Sequence, residues 1–290
     1  MRRLRRRIWL SVCASHDEKS IRIGDAVATT KAIGVAFERR GAGEPLLLIH
    51  GTGGSRSHWR PVADLLAAQR ELLLVDLPGH GDSDPPPTGI PHTPIGYARV
   101  LAALLDDLGL ETAHVAGNSV GGWTALELAK LGRARSAVAI APAGLWPKRD
   151  PWRCTLQLSS QYRLGRLFAP LVPGLMRSGL GRTFLLRGTV AKPRQMLAEA
   201  AIEMAITYAR TPSFRAHLAA TRRERFRDGQ GIDIPVVVAW GDKDRLIPAK
   251  ARRRDELPPH ARFVTLPDCG HSPMWDDPEL VAATILEAAA

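Results

Sequence analysis

Ser119 stands in the run Gly117-Asn118-Ser119-Val120-Gly121-Gly122, and its surroundings suit covalent chemistry better than those of any other hydroxyl in this 290-residue chain. The run follows a short apolar stretch and precedes a longer amphipathic one. A strand–turn–helix passage of that kind bends sharply enough to push the serine oxygen clear of a sheet. Glycines on both sides keep side chains out of a place where backbone segments crowd. The helix expected from Val120 directs its first amides toward the serine, where negative charge develops when a hydroxyl attacks a carbonyl. A serine hydroxyl is a poor nucleophile at neutral pH, so a base must take its proton and an acid must orient that base. The chemistry in view is acyl transfer to water, which asks for no metal and no organic cofactor.

The elements that would position these groups show as an alternation. Apolar runs at 46–49, 72–75, 114–116, 137–140 and 236–239, with a sixth candidate at 262–266, read as strands. They are apolar on both faces, as parallel strands are when helices cover each side of a sheet. Amphipathic spacing predicts helices over 58–68, 95–108, 120–131, 248–257 and 278–289. The fold class is therefore α/β, a mostly parallel central sheet flanked by helices with right-handed crossovers. Residues 21–40 are expected to add antiparallel edge strands. The alternation stops at Pro142 and resumes at Ile234. The stretch between has helical patterns at 196–209 and 212–225 and several proline breakers, with no strand pattern. The expected organisation is a core of 21–142 and 233–290, a helical cap of 143–232 over the strand ends, and a basic tail of 1–20 without fixed structure.

Two further motifs accompany the serine turn: His50-Gly51-Thr52-Gly53-Gly54 and Asp76-Leu77-Pro78-Gly79-His80-Gly81-Asp82-Ser83. Together the three resemble the α/β-hydrolase superfamily, in particular carboxylesterase-like members with a helical cap, from residue 30 or so to the C-terminus. The resemblance implies the α/β-hydrolase fold and a triad in the order Ser, Asp, His. It implies Ser119 as nucleophile, and His271, in Asp268-Cys269-Gly270-His271-Ser272-Pro273, as base. It implies Asp244, in Trp240-Gly241-Asp242-Lys243-Asp244-Arg245-Leu246-Ile247-Pro248, as acid, with Asp242 the neighbouring alternative. An earlier position that some members use reads Ala141-Pro142-Ala143-Gly144 here and carries no carboxylate. The backbone amides of Thr52 and Val120 are the implied oxyanion hole, while the Asp76–Ser83 loop is implied to be structural. His50 and His80 fall in structural loops on the same match; His58, His92, His114, His217 and His260 read as surface or packing residues.

The implied activity is a serine hydrolase cleaving a carboxylic ester through an acyl-enzyme. Thioester or carrier-linked ester hydrolysis stays open, as does carbon–carbon bond hydrolysis of aromatic degradation. Members of that last group share the Gly-Asn-Ser-x-Gly-Gly run but carry an aromatic where Ser272 stands. A binding protein that has lost its catalytic groups fits poorly, because the triad residues and the His50-Gly51 loop are all present.

Composition bounds the rest. The chain is 45% hydrophobic and has no apolar run of the roughly 18 residues that a membrane-spanning helix needs. Cys13, Cys154 and Cys269 have neither metal-site nor disulfide-framework spacing, and a cytoplasmic location is the simplest fit. Residues 1–14, five arginines and then a short apolar stretch, look superficially like a signal peptide, without a small-x-small cleavage site. The net charge of +11 is concentrated in residues 144–232, which hold 16 Lys and Arg against 5 Asp and Glu. The expected partner is a small-molecule ester or acyl substrate, or an anionic carrier-linked one, with Arg222, Arg223, Arg225 and Arg227 the densest basic cluster. No nucleic-acid motif is present. Trp146, Trp152, Leu156, Tyr162, Phe168, Phe184 and Met204 are candidate pocket walls.

Overall fold

The computed structural model describes residues 30–147 and 152–289, so the expected tail and the first part of 21–40 lie outside the described residues. The described part of that edge forms β1 (Thr30–Ala32) and β2 (Val35–Arg40), paired antiparallel as expected. The core strands follow as β3 (Pro45–Ile49), β4 (Glu71–Val75), β5 (Ala113–Asn118), β6 (Ala134–Ile140), β7 (Val236–Gly241) and β8 (Arg262–Leu266). Their order in the eight-stranded sheet is β1-β2-β4-β3-β5-β6-β7-β8, with every pair from β4 onward parallel.

The apolar strands work because both faces are covered. Leu47, Ile49, Leu73, Val75 and Val115 pack on one side with α2 (Pro94–Asp107) and α3 (Val120–Lys130). Leu46, Leu48, Leu72, Leu74 and Ala116 pack on the other with α1 (Arg60–Ala67) and α9 (Pro278–Ala288). Period-two alternation thus assigns each leucine of β3 and β4 to one of two cores. The Thr93 hydroxyl caps α2 by accepting from the Gly96 amide at 3.3 Å, and Asp277 caps α9 by accepting from the Leu280 amide at 3.0 Å.

One expected helix is corrected. Residues 248–257 form only a 3₁₀ turn at Ala249–Ala251. A distant partner takes an amide that a helix would use, the Arg253 amide donating to the Leu145 carbonyl at 2.8 Å, while the Arg252 guanidinium turns back to the Ile247 carbonyl at 2.9 Å and lies over the Trp240 ring. Pro258 and Pro259 then close off any continuation.

Between β6 and β7 the described residues form α4 (Trp152–Leu167), α5 (Val172–Arg177), α6 (Gly179–Leu186), α7 (Ala198–Arg210) and α8 (Phe214–Thr221). Val172, Met176, Leu186, Val190, Met196 and Ala201 form a small apolar cluster separate from the two that face the sheet. Among the described residues no helix is long and apolar enough to cross a membrane.

Candidate active site

Ser119 occupies the turn between β5 and α3 with φ 58° and ψ −116°, a backbone conformation that non-glycine residues rarely adopt. The surroundings over-determine it. The Ser119 amide donates to the Ile140 carbonyl at 2.8 Å, and the Ser119 carbonyl accepts from Ala143 and Trp123 amides at 3.0 and 3.1 Å. The flanking glycines are required by close approach: a Cβ at Gly117 would lie 2.1 Å from the Gly121 carbonyl oxygen, and one at Gly121 would lie 2.1 Å from that of Ile49. Val120 opens α3, so its amide is among the first four with no acceptor inside the helix.

The loops after β7 and β8 bring Asp244 and His271 together across 27 residues of chain. His271 Nδ1 lies 3.1 Å from Asp244 Oδ2, and the Asp244 side chain is fully buried. The other carboxylate oxygen accepts from the Leu246 and Ile247 amides at 2.8 and 3.1 Å. Burial alone would raise the Asp244 pKa, but the neighbouring His271 and these donors outweigh it and hold the carboxyl below its ordinary value. With a carboxylate at Nδ1, the imidazole carries its proton there and presents a free lone pair at Nε2. That Nε2 is buried and has no hydrogen-bond partner among the described residues. Asp242 is exposed and, among the described residues, accepts only from the Cys269 amide at 3.3 Å.

Ser119, His271, Thr52 and Val120 line one cavity of about 460 Å³. The sequence motif leads one to expect a Ser119–His271 hydrogen bond, and the structure does not contain one within range. Contacts of this kind are commonly loose before substrate orders the nucleophile.

Thr52 is tied down from an unexpected side. Its hydroxyl lies 3.0 Å from Nε2 of His217 on α8, while His217 Nδ1 donates to the His92 carbonyl at 3.1 Å. His58, too, is misread as a surface or packing residue: it lines the cavity and its Nε2 donates to Asn118 Oδ1 at 3.2 Å. Asn118 in turn donates to the His271 carbonyl at 2.8 Å, which joins the serine turn to the base loop. No local signal marks His58 or His217, since both partners lie far away in sequence.

The Asp76–Ser83 loop is structural. Asp76 accepts from the Arg56 and Asp82 amides at 2.6 and 2.9 Å, and the Ser83 hydroxyl donates to the Asp76 carbonyl at 2.7 Å. His50 donates from Nδ1 to the Gly51 carbonyl at 2.7 Å and accepts at Nε2 from the Leu77 amide at 2.9 Å. Burial pushes His50, His80 and His217 down to about 3. They stay neutral in the folded protein at a pH that protonates them in the unfolded chain. Their contribution to stability is therefore complete above about pH 6.5 and declines as pH falls toward about 3, by up to about 1.4 kcal/mol per unit for each histidine. Urea unfolding is expected to show a lower midpoint at about pH 5 than at about pH 7; equal midpoints would contradict the buried neutral state.

Of the candidate pocket walls, Trp146, Phe168, Phe184 and Met204 line the cavity; Trp152, Leu156 and Tyr162 do not, and Tyr162 stacks on Phe214 instead. The Arg222–Arg227 cluster is absent from the lining as well. Arg225 is drawn to the Pro147 carbonyl, and Arg222 borders a separate cavity.

The chain is 32% identical over 257 residues to a dihydrolipoyllysine-residue acetyltransferase component of an acetoin cleaving system from Cupriavidus necator, covering 84% of this chain and 63% of that protein. It is 28% identical over 262 residues to a pimeloyl-[acyl-carrier protein] methyl ester esterase of Aeromonas salmonicida, covering 84% and 95%. A carboxylesterase structure from Bacillus subtilis superposes with a TM-score of 0.70 at 20% identity, covering 93% of each chain, which speaks for the fold alone. The model of the alpha/beta hydrolase family matches residues 46–284, and the chain belongs to that family.

Proposed function

We propose that this protein is a serine hydrolase of carboxylic esters, with Ser119 as nucleophile, His271 as general base and Asp244 as the acid that orients it. The observation that carries the reading is the unpartnered His271 Nε2, its tautomer set by Asp244, lining the same cavity as a serine on a strained turn. Ser119 attacks the ester carbonyl as His271 takes its proton. The developing oxyanion is met by the Thr52 and Val120 amides, each donor worth on the order of 100- to 1000-fold in rate. His271 then protonates the leaving alcohol, and activates the water that releases the acid. His217 and the Asn118–His58 pair act on this centre indirectly, by holding Thr52 and the His271 loop in place. In this reading residues 143–232 serve as a lid whose apolar side chains receive the acyl group.

A fluorophosphonate probe is expected to label the wild-type protein at Ser119, and a p-nitrophenyl ester series to give its highest kcat/KM at medium or long acyl chains. Absence of labelling, together with no hydrolysis at any chain length, would remove the assignment. Hydrolysis of carrier-linked or thioester acyl groups is a second reading, favoured by the excess of positive charge in 144–232.

A further inference from the structure

Ten of the thirteen large apolar side chains that stand exposed among the described residues fall within 152–197, nine of them on or beside α4, α5 and α6 and the tenth, Leu197, at the start of α7. They include Leu167, Leu180 and Phe184, at 70%, 71% and 74% exposure. Scattered single leucines on a surface need no explanation, but concentration of this kind marks a face that meets something apolar. The same stretch has a second peculiarity. Residues 151–198 carry eight Lys and Arg and no Asp or Glu. Arg163 and Arg166 alternate with Leu164 and Leu167 along α4, with Phe168 just after it, Arg177 ends α5 and Arg187 follows α6; all four arginines are exposed.

This face continues into the active-site cavity. Leu164, Phe168, Leu171, Leu175 and Phe184 are both exposed and part of the cavity lining. Among the described residues, the lining contains no Lys, Arg, Asp or Glu. Positive charge, among the described residues, is thus available on the face and missing from the lining. An anionic small substrate would find no cationic side chain among the described lining residues to pair with its charge, whereas a flexible apolar chain would find leucine, phenylalanine and methionine along most of the lining.

Resting on the ester-hydrolase reading, we infer that the α4–α6 face docks on an anionic lipid surface and draws an apolar acyl chain of a membrane ester through its rim toward Ser119. Apolar side chains between cations, with no acid among them, suit an interface of acyl chains and negative headgroups. Charge complementarity argues against a second copy of this chain as the occupant, because the pairing would set eight cations against eight. The leucines and phenylalanines also protrude from three separate helices, which a fluid interface accommodates one side chain at a time.

The test uses the full chain carrying Ser119→Ala, so that binding is read without turnover, in sedimentation with phosphatidylglycerol or phosphatidylcholine vesicles. Phosphatidylglycerol vesicles are expected to bind at least about tenfold more tightly than phosphatidylcholine vesicles. Leu167→Ser with Leu180→Ser should weaken that binding at least about tenfold without lowering the melting temperature. Both residues are exposed and lie outside the cavity lining, so in the active protein the pair should leave hydrolysis of a soluble short ester unchanged. Arg163→Gln, Arg166→Gln, Arg177→Gln and Arg187→Gln together should abolish the preference for the anionic vesicle. No binding to either vesicle overturns the inference, as does equal binding by the Leu167/Leu180 variant. Binding to an acidic acyl carrier protein without vesicle binding would give the face to a protein partner, and a concentration-dependent dimer without vesicle binding would give it to a second copy; either overturns it. Failure of the triad would show instead as loss of fluorophosphonate labelling, with vesicle binding intact.

Discussion

Ser119→Ala is expected to lower kcat for ester hydrolysis by at least about a thousandfold while leaving the folded state intact. The variant loses the attacking oxygen, but the oxyanion amides and the cavity remain, so a small residual rate above the uncatalysed reaction should survive. The Ser119 side chain contributes no hydrogen bond to the surrounding framework; the backbone groups of Ser119 make the bonds that hold the turn. Circular dichroism and the urea midpoint should therefore match wild type. An alanine variant that kept more than about a tenth of wild-type activity would show that Ser119 is not the nucleophile.

The second large effect separates two neighbouring aspartates. Asp244→Asn is expected to cost on the order of 10³- to 10⁴-fold in kcat, with Asp242→Asn close to wild type. An amide at 244 can place its NH₂ toward His271 Nδ1, which favours the tautomer protonated at Nε2 and removes the lone pair that must take the serine proton. The loss should appear in kcat more than in KM, because Asp244 is buried behind the imidazole and absent from the cavity lining. Asp242 is exposed and, among the described residues, its single bond goes to the Cys269 amide. A larger loss from the Asp242 change would reverse the assignment of the acid.

The two aspartates also show how far the chain could be read before its structure. Their spacing within Asp242-Lys243-Asp244 leaves both within reach of a loop, and only a resemblance to relatives chose between them. Packing supplies a physical reason for that choice. Trp240 and Gly241 end β7, Gly241 presses against the Cys269 and Gly270 carbonyls, and the chain then turns so that Asp244 meets His271 while Asp242 faces solvent.

Local pattern was enough for the elements whose determinants are local. The alternating leucines of β3 and β4, the strand–turn–helix around Ser119, and the helices at 94–107 and 278–288 each follow from residue spacing that no distant contact overrides. The exception at 248–257 has helical periodicity, yet the Arg253 amide bonds to the Leu145 carbonyl and Arg252 lies over the Trp240 ring, and tertiary contacts outweigh a weak propensity.

The sequence by itself determined the α/β class and the strand–turn–helix around Ser119, because these depend on periodicity and on a short motif. Tertiary structure alone decided that His58 and His217 touch the site. His217 reaches Thr52 across 165 residues, and Asn118 reaches the His271 carbonyl across 153. It likewise decided that the Arg222–Arg227 cluster stands outside the cavity lining while Arg163, Arg166, Arg177 and Arg187 stand among exposed leucines and phenylalanines. Helical periodicity tells which residues of one helix share a side, but which helix sits over the strand ends is set by packing between elements far apart in the chain.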